Sequence, residues 1–218
     1  MKQKILGYLI ALATALPFVG NAQAIDTSDI YGLTKYTLQP LNKGFVSSGF
    51  LSNQGTMLLS MQRFNGILTY DNRYNLNLWR IMYVQLQKSY CGNASNPLPD
   101  IVTVNNAIEN ASGNAEPNNI ALLMGNYDEL REDALANNLV TYNNTTKQVY
   151  DVRSREESPY ISKQLFAASP INNYTFTGTE TFKFNSNLFY NTTGQSLSSL
   201  QINYGNGQGF VAMPLNTK

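Results

Sequence analysis

The feature that most constrains the fold is a set of three short alternating segments in the last third of this 218-residue chain. Tyr174-Thr175-Phe176-Thr177, Thr181-Phe182-Lys183-Phe184 and Gln201-Ile202-Asn203-Tyr204 each alternate apolar with polar side chains. Successive side chains of a strand point to opposite faces, so each of these segments has one packed and one wet face. That pattern predicts antiparallel pairing and, over residues 118–218, an antiparallel β-sandwich. Gly178 and Gly194 punctuate the segments. Asn203-Tyr204-Gly205-Asn206-Gly207-Gln208-Gly209-Phe210 reads as a tight hairpin whose glycines supply positive φ. A calcium loop would need several carboxylates there, and the run has none.

The period changes upstream. Leu76, Trp79, Tyr83, Leu86 and Tyr90 recur at spacings of three and four, which predicts one face of a helix with Trp79 in the core. After Pro97-Leu98-Pro99, Asp100 is placed to cap a second helix carrying Ile101, Val104, Ile108 and Ala111, with Gly113 closing it. Both stripes are expected to bury against a sheet. Ile120-Ala121-Leu122-Leu123-Met124 has the length and flanks of a buried strand, and residues 127–138 read as one short helix or an ordered loop. Residues 25–74 are rich in Gly, Asn and Ser, and their apolar pieces at 31–38, 56–61 and 66–70 read as short strands. The domain division expected is therefore a mixed region over 25–117, with one or two helices, followed by a β-rich module over 118–218. The fold class as a whole is mainly β.

Residues 1–24 read as a cleavable signal peptide. Lys2 and Lys4 form its positive start, residues 5–19 its apolar run, and Asn21-Ala22-Gln23-Ala24 its cleavage site. The apolar run has about 15 residues, short of the roughly 20 a spanning helix needs. The expectation is export, cleavage after Ala24, and a secreted or cell-surface protein with no transmembrane helix in the mature chain. Removing Lys2 and Lys4 leaves 13 basic residues against 14 acidic ones, a balance that argues against nucleic acid as a partner. The single cysteine, Cys91, has no partner for an intrachain disulfide, so stability must come from the apolar core. Its neighbours match no catalytic cysteine motif, and it is read as a buried thiol.

The chain contains no histidine, which removes Ser-His-Asp and Cys-His catalysis and every His-bound zinc site. No nucleotide-binding glycine motif and no Gly-X-Ser-X-Gly elbow occurs. Carboxylate chemistry survives, because glycoside hydrolysis needs only two suitably spaced acids. Glu129, Glu132, Asp133, Glu156, Glu157 and Glu180 are the acids that could supply them, although Arg131, Arg153 and Arg155 lie among them and favour ion pairing. No catalytic, cofactor-binding or metal-ligating residue is nominated, and no cofactor is expected.

Ser158-Pro159-Tyr160, Phe166-Ala167-Ala168-Ser169-Pro170, Phe182-Lys183-Phe184-Asn185-Ser186-Asn187-Leu188-Phe189 and the stretch from Ser198 through Phe210 resemble the N-terminal β-rich module of large secreted bacterial proteins. The Gly-Asn-Gly tip is similar to the Gly-Asp-Gly turn of PKD-type Ig-like domains, with Asn206 where those have an acid. The resemblance implies an accessory role within a longer chain and carries over no catalytic residue. The expected function is thus a non-catalytic accessory or binding module of a secreted or cell-surface protein, its partner a glycan or other domains of the same chain. The alternatives are a secreted, carboxylate-dependent glycan-active enzyme and a small outer-membrane β-barrel.

Overall fold

The computed structural model describes residues 29–56, 59, 74–112, 118–172, 181–203 and 206–215. The leader, the pieces at 57–58 and 60–73, Gly113, the segment at 174–177, Gly178, Glu180, Tyr204 and Gly205 lie outside them. Among the described residues the chain forms α1 (Ile30–Thr37), α2 (Leu76–Lys88), α3 (Ile101–Ser112) and strands β1 (Asn118–Leu130), β2 (Val140–Asn143), β3 (Gln148–Asp151), β4 (Tyr160–Pro170), β5 (Phe182–Asn191), β6 (Leu200–Asn203) and β7 (Phe210–Met213). This is a mixed helix-and-strand architecture with three small sheets, ordered β4-β1-β5, β2-β3 and β6-β7. The chain divides into two compact units. The first takes Met1–Ser60, Gln85–Ser95 and Tyr127–Lys163; the second takes Met61–Val84, Asn96–Asn126 and Gln164–Lys218. Each unit therefore draws segments from both sides of residue 118.

In the first unit, residues 30–37 correct the expectation of a strand at 31–38: they are helical. The Asp29 carboxylate accepts the Tyr31 N–H at 2.9 Å, and the Thr34 and Thr37 hydroxyls donate to the carbonyls of Ile30 and Leu33. The side-chain cap and the burial of Thr37 and Leu38 at the helix's C-terminal end thus outweigh the β preference of Tyr and Thr. The chain leaves α1 through buried Leu38 and Leu41, which join Val46, Leu51, Ala134, Leu139, Val140, Val149 and Tyr160 in one core. Strands β2 and β3 form an antiparallel hairpin from Val140↔Asp151 to Asn143↔Gln148. Asn143 Oδ1 accepts the N–H groups of Thr145 and Thr146 to turn it, and Lys147 takes the left-handed conformation at φ 59°. Residues 127–130 continue β1, and 131–138 form turns, so of the two readings offered for 127–138 the ordered loop holds for its second part.

In the second unit, Asn75 opens α2, its Oδ1 accepting the Leu78 N–H at 2.9 Å. The 3.6-residue stripe is buried as expected there: Leu76, Trp79 and Tyr83 are at most 4 % exposed. The Trp79 and Tyr83 rings stack at 5.5 Å, Tyr190 packs against both, and the Trp79 indole N–H donates to Ala167 O at 3.3 Å. Asp100 caps α3 through the Val102 N–H, and Val104 and Ile108 are buried. Ile120 to Leu123 form a buried stretch of β1. Phe182 to Phe184, expected in an antiparallel pair, instead run parallel to β1 from Asn118↔Phe182 to Met124↔Asn191, with a register shift between Ile120 and Leu122. The topology explains it. Strand β4 ends beside the start of β1, where the Ile171 N–H donates to Asn119 O, and β5 begins at that same end, where the Asn118 N–H donates to Thr181 O. A strand entering there must leave in β1's direction. The hairpin expected around Gly207 is present: β6 and β7 pair antiparallel, and Gly207 and Gly209 have φ of 83° and 74°.

Candidate functional site

The acidic residues singled out in the sequence gather in the first unit, apart from Glu180, which lies outside the described residues. Arg131 follows directly on β1, and its guanidinium bridges two acids. Nε and Nη2 donate to the two Asp133 oxygens at 2.9 Å each, and Nη1 donates to Glu157. Asn137 adds a third donor to Asp133 at 2.8 Å. The two acidic clusters, 26 residues apart in sequence at Arg131 and Glu157, are therefore joined by one cation. The Arg131 hydrogen bonds hold the Asp133 carboxyl below the usual carboxylate range, and the same bonds raise the guanidinium's own affinity for its proton. Glu129 is tied separately to Lys163 of β4, and Asp151 to Arg155. Glu156 is exposed.

Asp128, the first acid of the cluster, was not singled out by sequence, and it is the most buried, at 1 % exposure. It has no cation. Its carboxylate accepts the Ser48 N–H at 2.8 Å, the Ser48 hydroxyl at 2.7 Å, the Ser47 hydroxyl at 3.3 Å and the Ser162 hydroxyl. The backbone reinforces the arrangement, since the Asp128 N–H donates to Phe50 O at 2.8 Å and Leu51 bridges Asp128 in parallel. Three hydroxyls and an amide satisfy a buried charge in the way burial demands. The site pins residues 47–51 to β1.

Recesses open on the described part of this unit. One, of about 700 Å³, is bordered by Glu129, Arg131, Asp133, Ile161 and Lys163. Another, of about 730 Å³, is bordered by Asn42, Phe45, Tyr150, Asp151, Arg153 and Arg155, with Glu156 and Glu157 on its acidic side. Both volumes lie in the range of small-ligand pockets. In the second recess the Arg155 guanidinium sits 4.7 Å from the centroid of the Phe45 ring, and Phe45 is 56 % exposed. Cys91 is half-buried, donates weakly to Gly49 O at 3.5 Å, and has its thiol pushed up by burial, the opposite of an activated nucleophile. Among the described residues, no three Cys, Asp or Glu side chains are placed to hold a metal ion, and no helix is long and apolar enough to cross a membrane. Asn206, at the hairpin tip, folds back on its own turn by accepting the Gln208 N–H at 3.1 Å.

Compared with protein-family models, curated proteins and solved structures, the chain matches none. The site must therefore be read from its own geometry. Sequence reasoning located the acids and foresaw ion pairing among them. It missed Asp128 and the Phe45–Arg155 pair, because their partners lie 80 and 110 residues away and no local pattern marks them.

Proposed function

We propose that this chain is a non-catalytic binding module of an exported protein, and that it presents the first unit's recessed face to a ligand. The observation that carries this reading is the commitment of the carboxylates. Asp133 and Glu157 share Arg131, Glu129 meets Lys163, Asp151 meets Arg155, and Asp128 is enclosed by serines. A glycosidase pair needs one carboxyl held protonated by its surroundings and a second left open as nucleophile or base. Asp133 is shifted the other way, and Arg131 occupies the space between it and Glu157. The glycan-active-enzyme alternative is for these reasons the weaker one.

The outer-membrane barrel needs tilted strands of about 9–11 residues, whereas β2, β3, β6 and β7 have four residues each. Export rests on the leader pattern of residues 1–24, and membership of a longer chain rests on the resemblance of its β-rich half. The Ig-like sandwich over 118–218 belongs to the same proposal. The β6–β7 hairpin supports it, and the parallel β1–β5 pair counts against it.

The test is incubation of the purified chain with β-glucan, α-glucan, chitin and xylan, following release of reducing ends. No release above buffer is expected. Release that disappears in both Asp133→Asn and Glu157→Gln would overturn the proposal in favour of the enzyme.

A further inference from the structure

We propose that the recess between Phe45 and Arg153 is a binding site for a neutral, pyranose-based glycan. This deepens the binding-module reading and rests on it. Phe45 stands on a one-turn 3₁₀ segment, Lys43–Phe45, with more than half of its surface open. Its ring is backed by Arg155, whose side chain is only 9 % exposed and is tied through Nη1 to Asp151. A cation on one face and a fixed anion behind it hold the ring at a set angle, leaving its open side as a flat apolar shelf. The C–H face of a sugar ring fits such a shelf.

Polar groups of both signs surround it. Arg155 Nη2 is buried and has no hydrogen-bond partner among the described residues, a standing cost in a charged group. Arg153 is exposed and makes no ion pair among the described residues. Asn42 and Ser158 add neutral polar side chains on the same rim. Glu156 and Glu157 on the acidic side disfavour an anionic ligand, because a carboxylate or phosphate drawn to Arg153 would meet their charge. Sugar hydroxyls are donors and acceptors at once and use both signs. An aromatic shelf with mixed polar edges is therefore matched to a neutral polyol. The recess volume of about 730 Å³ accommodates a few sugar rings.

The experiment is calorimetric titration of the purified chain with cellohexaose, maltohexaose, laminarihexaose and chitopentaose, and with polygalacturonate as the acidic contrast. At least one neutral probe is expected to bind with Kd of about 1 mM or tighter. Phe45→Ala and Arg153→Ala, both exposed and dispensable to the core, should each weaken it about tenfold, whereas Ile161→Ala at the other recess should not. No binding by any neutral probe, preference for polygalacturonate, or binding indifferent to Phe45→Ala would each overturn the site. Binding indifferent to Phe45→Ala would leave the binding-module reading standing. Cleavage of a probe that binds at Phe45 would keep the site and sink the non-catalytic reading.

Discussion

Replacing Asp128 by alanine removes the acceptor that pins residues 47–51 to β1. Four donors converge on it, but they do not lose equally. The Ser48 hydroxyl has a second partner in Phe50 O at 3.1 Å, and the Ser47 and Ser162 hydroxyls lie 3.2 Å from each other. The Ser48 N–H has no such fallback and becomes a half-buried orphan, worth about 1–3 kcal/mol. Lost charge-assisted bonds add to this, and relief from burying a carboxylate subtracts, so the net cost expected is about 3 kcal/mol. For a chain of this size that is a fall in Tm of about 6–12 °C. Asp128→Asn keeps the shape and one acceptor, and should cost about 1 kcal/mol. Urea unfolding followed by far-ultraviolet circular dichroism reads both; Trp79 fluorescence alone is unsuitable, since Trp79 belongs to the other compact unit. A double-mutant cycle of Asp128→Asn with Ser162→Ala should show coupling of about 1 kcal/mol. If Asp128→Ala shifts stability by less than about 0.5 kcal/mol, the serine cage is not a structural anchor and the reasoning is refuted.

Other outcomes follow from the same packing. Trp79→Ala should cost about 3–5 kcal/mol in denaturant titrations, because the indole is fully buried against Tyr83 and Tyr190; an unchanged midpoint would contradict its place in the core. A Cβ at Gly125 would lie 2.1 Å from Thr192 Oγ1, which also accepts the Asn126 N–H at 3.0 Å, so Gly125→Ala should lower stability by about 1–3 kcal/mol. Burial pulls the Lys43 ammonium from 10.5 down to about 8, so between those values the unfolded chain binds the extra proton. Lys43's contribution to stability therefore rises with pH from about 8 to 10.5, and the difference between wild type and Lys43→Met should change across that window. A difference independent of pH would show that the amine is solvated. Export predicts a mature protein beginning at Ile25, checked by the intact mass of the secreted product.

Local structure with a local cause was legible in the sequence. The stripe from Leu76 to Leu86, the Asp100 cap and the Gly207 hairpin each depend on residues within one turn or one hairpin, and each is present, whereas Tyr90, expected on the same face, lies past the helix end at Lys88 and bridges Phe50. Helix α1 was not legible as such, because Tyr31, Thr34, Tyr36 and Thr37 favour strands and only the Asp29 cap and the burial of Thr37 and Leu38 reverse that preference. Nor was the direction of β5. Alternation at Phe182 and Phe184 reports which face is buried and carries no information about the neighbouring strand, which the position of β4's end decides. The same limit hid the candidate site: the acids were visible as two clusters, but that one arginine joins them, and that Phe45 meets Arg155, depends on contacts far apart in the chain.

The central claim is that Arg131 bridges Asp133 and Glu157 and holds the Asp133 carboxyl ionised. Carbon-detected nuclear magnetic resonance titration of the Asp and Glu carboxyls tests it most directly. The account predicts that Asp133, hydrogen-bonded by Arg131, titrates below the ordinary carboxylate range. An Asp133 carboxyl that takes up its proton near neutral pH would contradict the account and restore the catalytic reading.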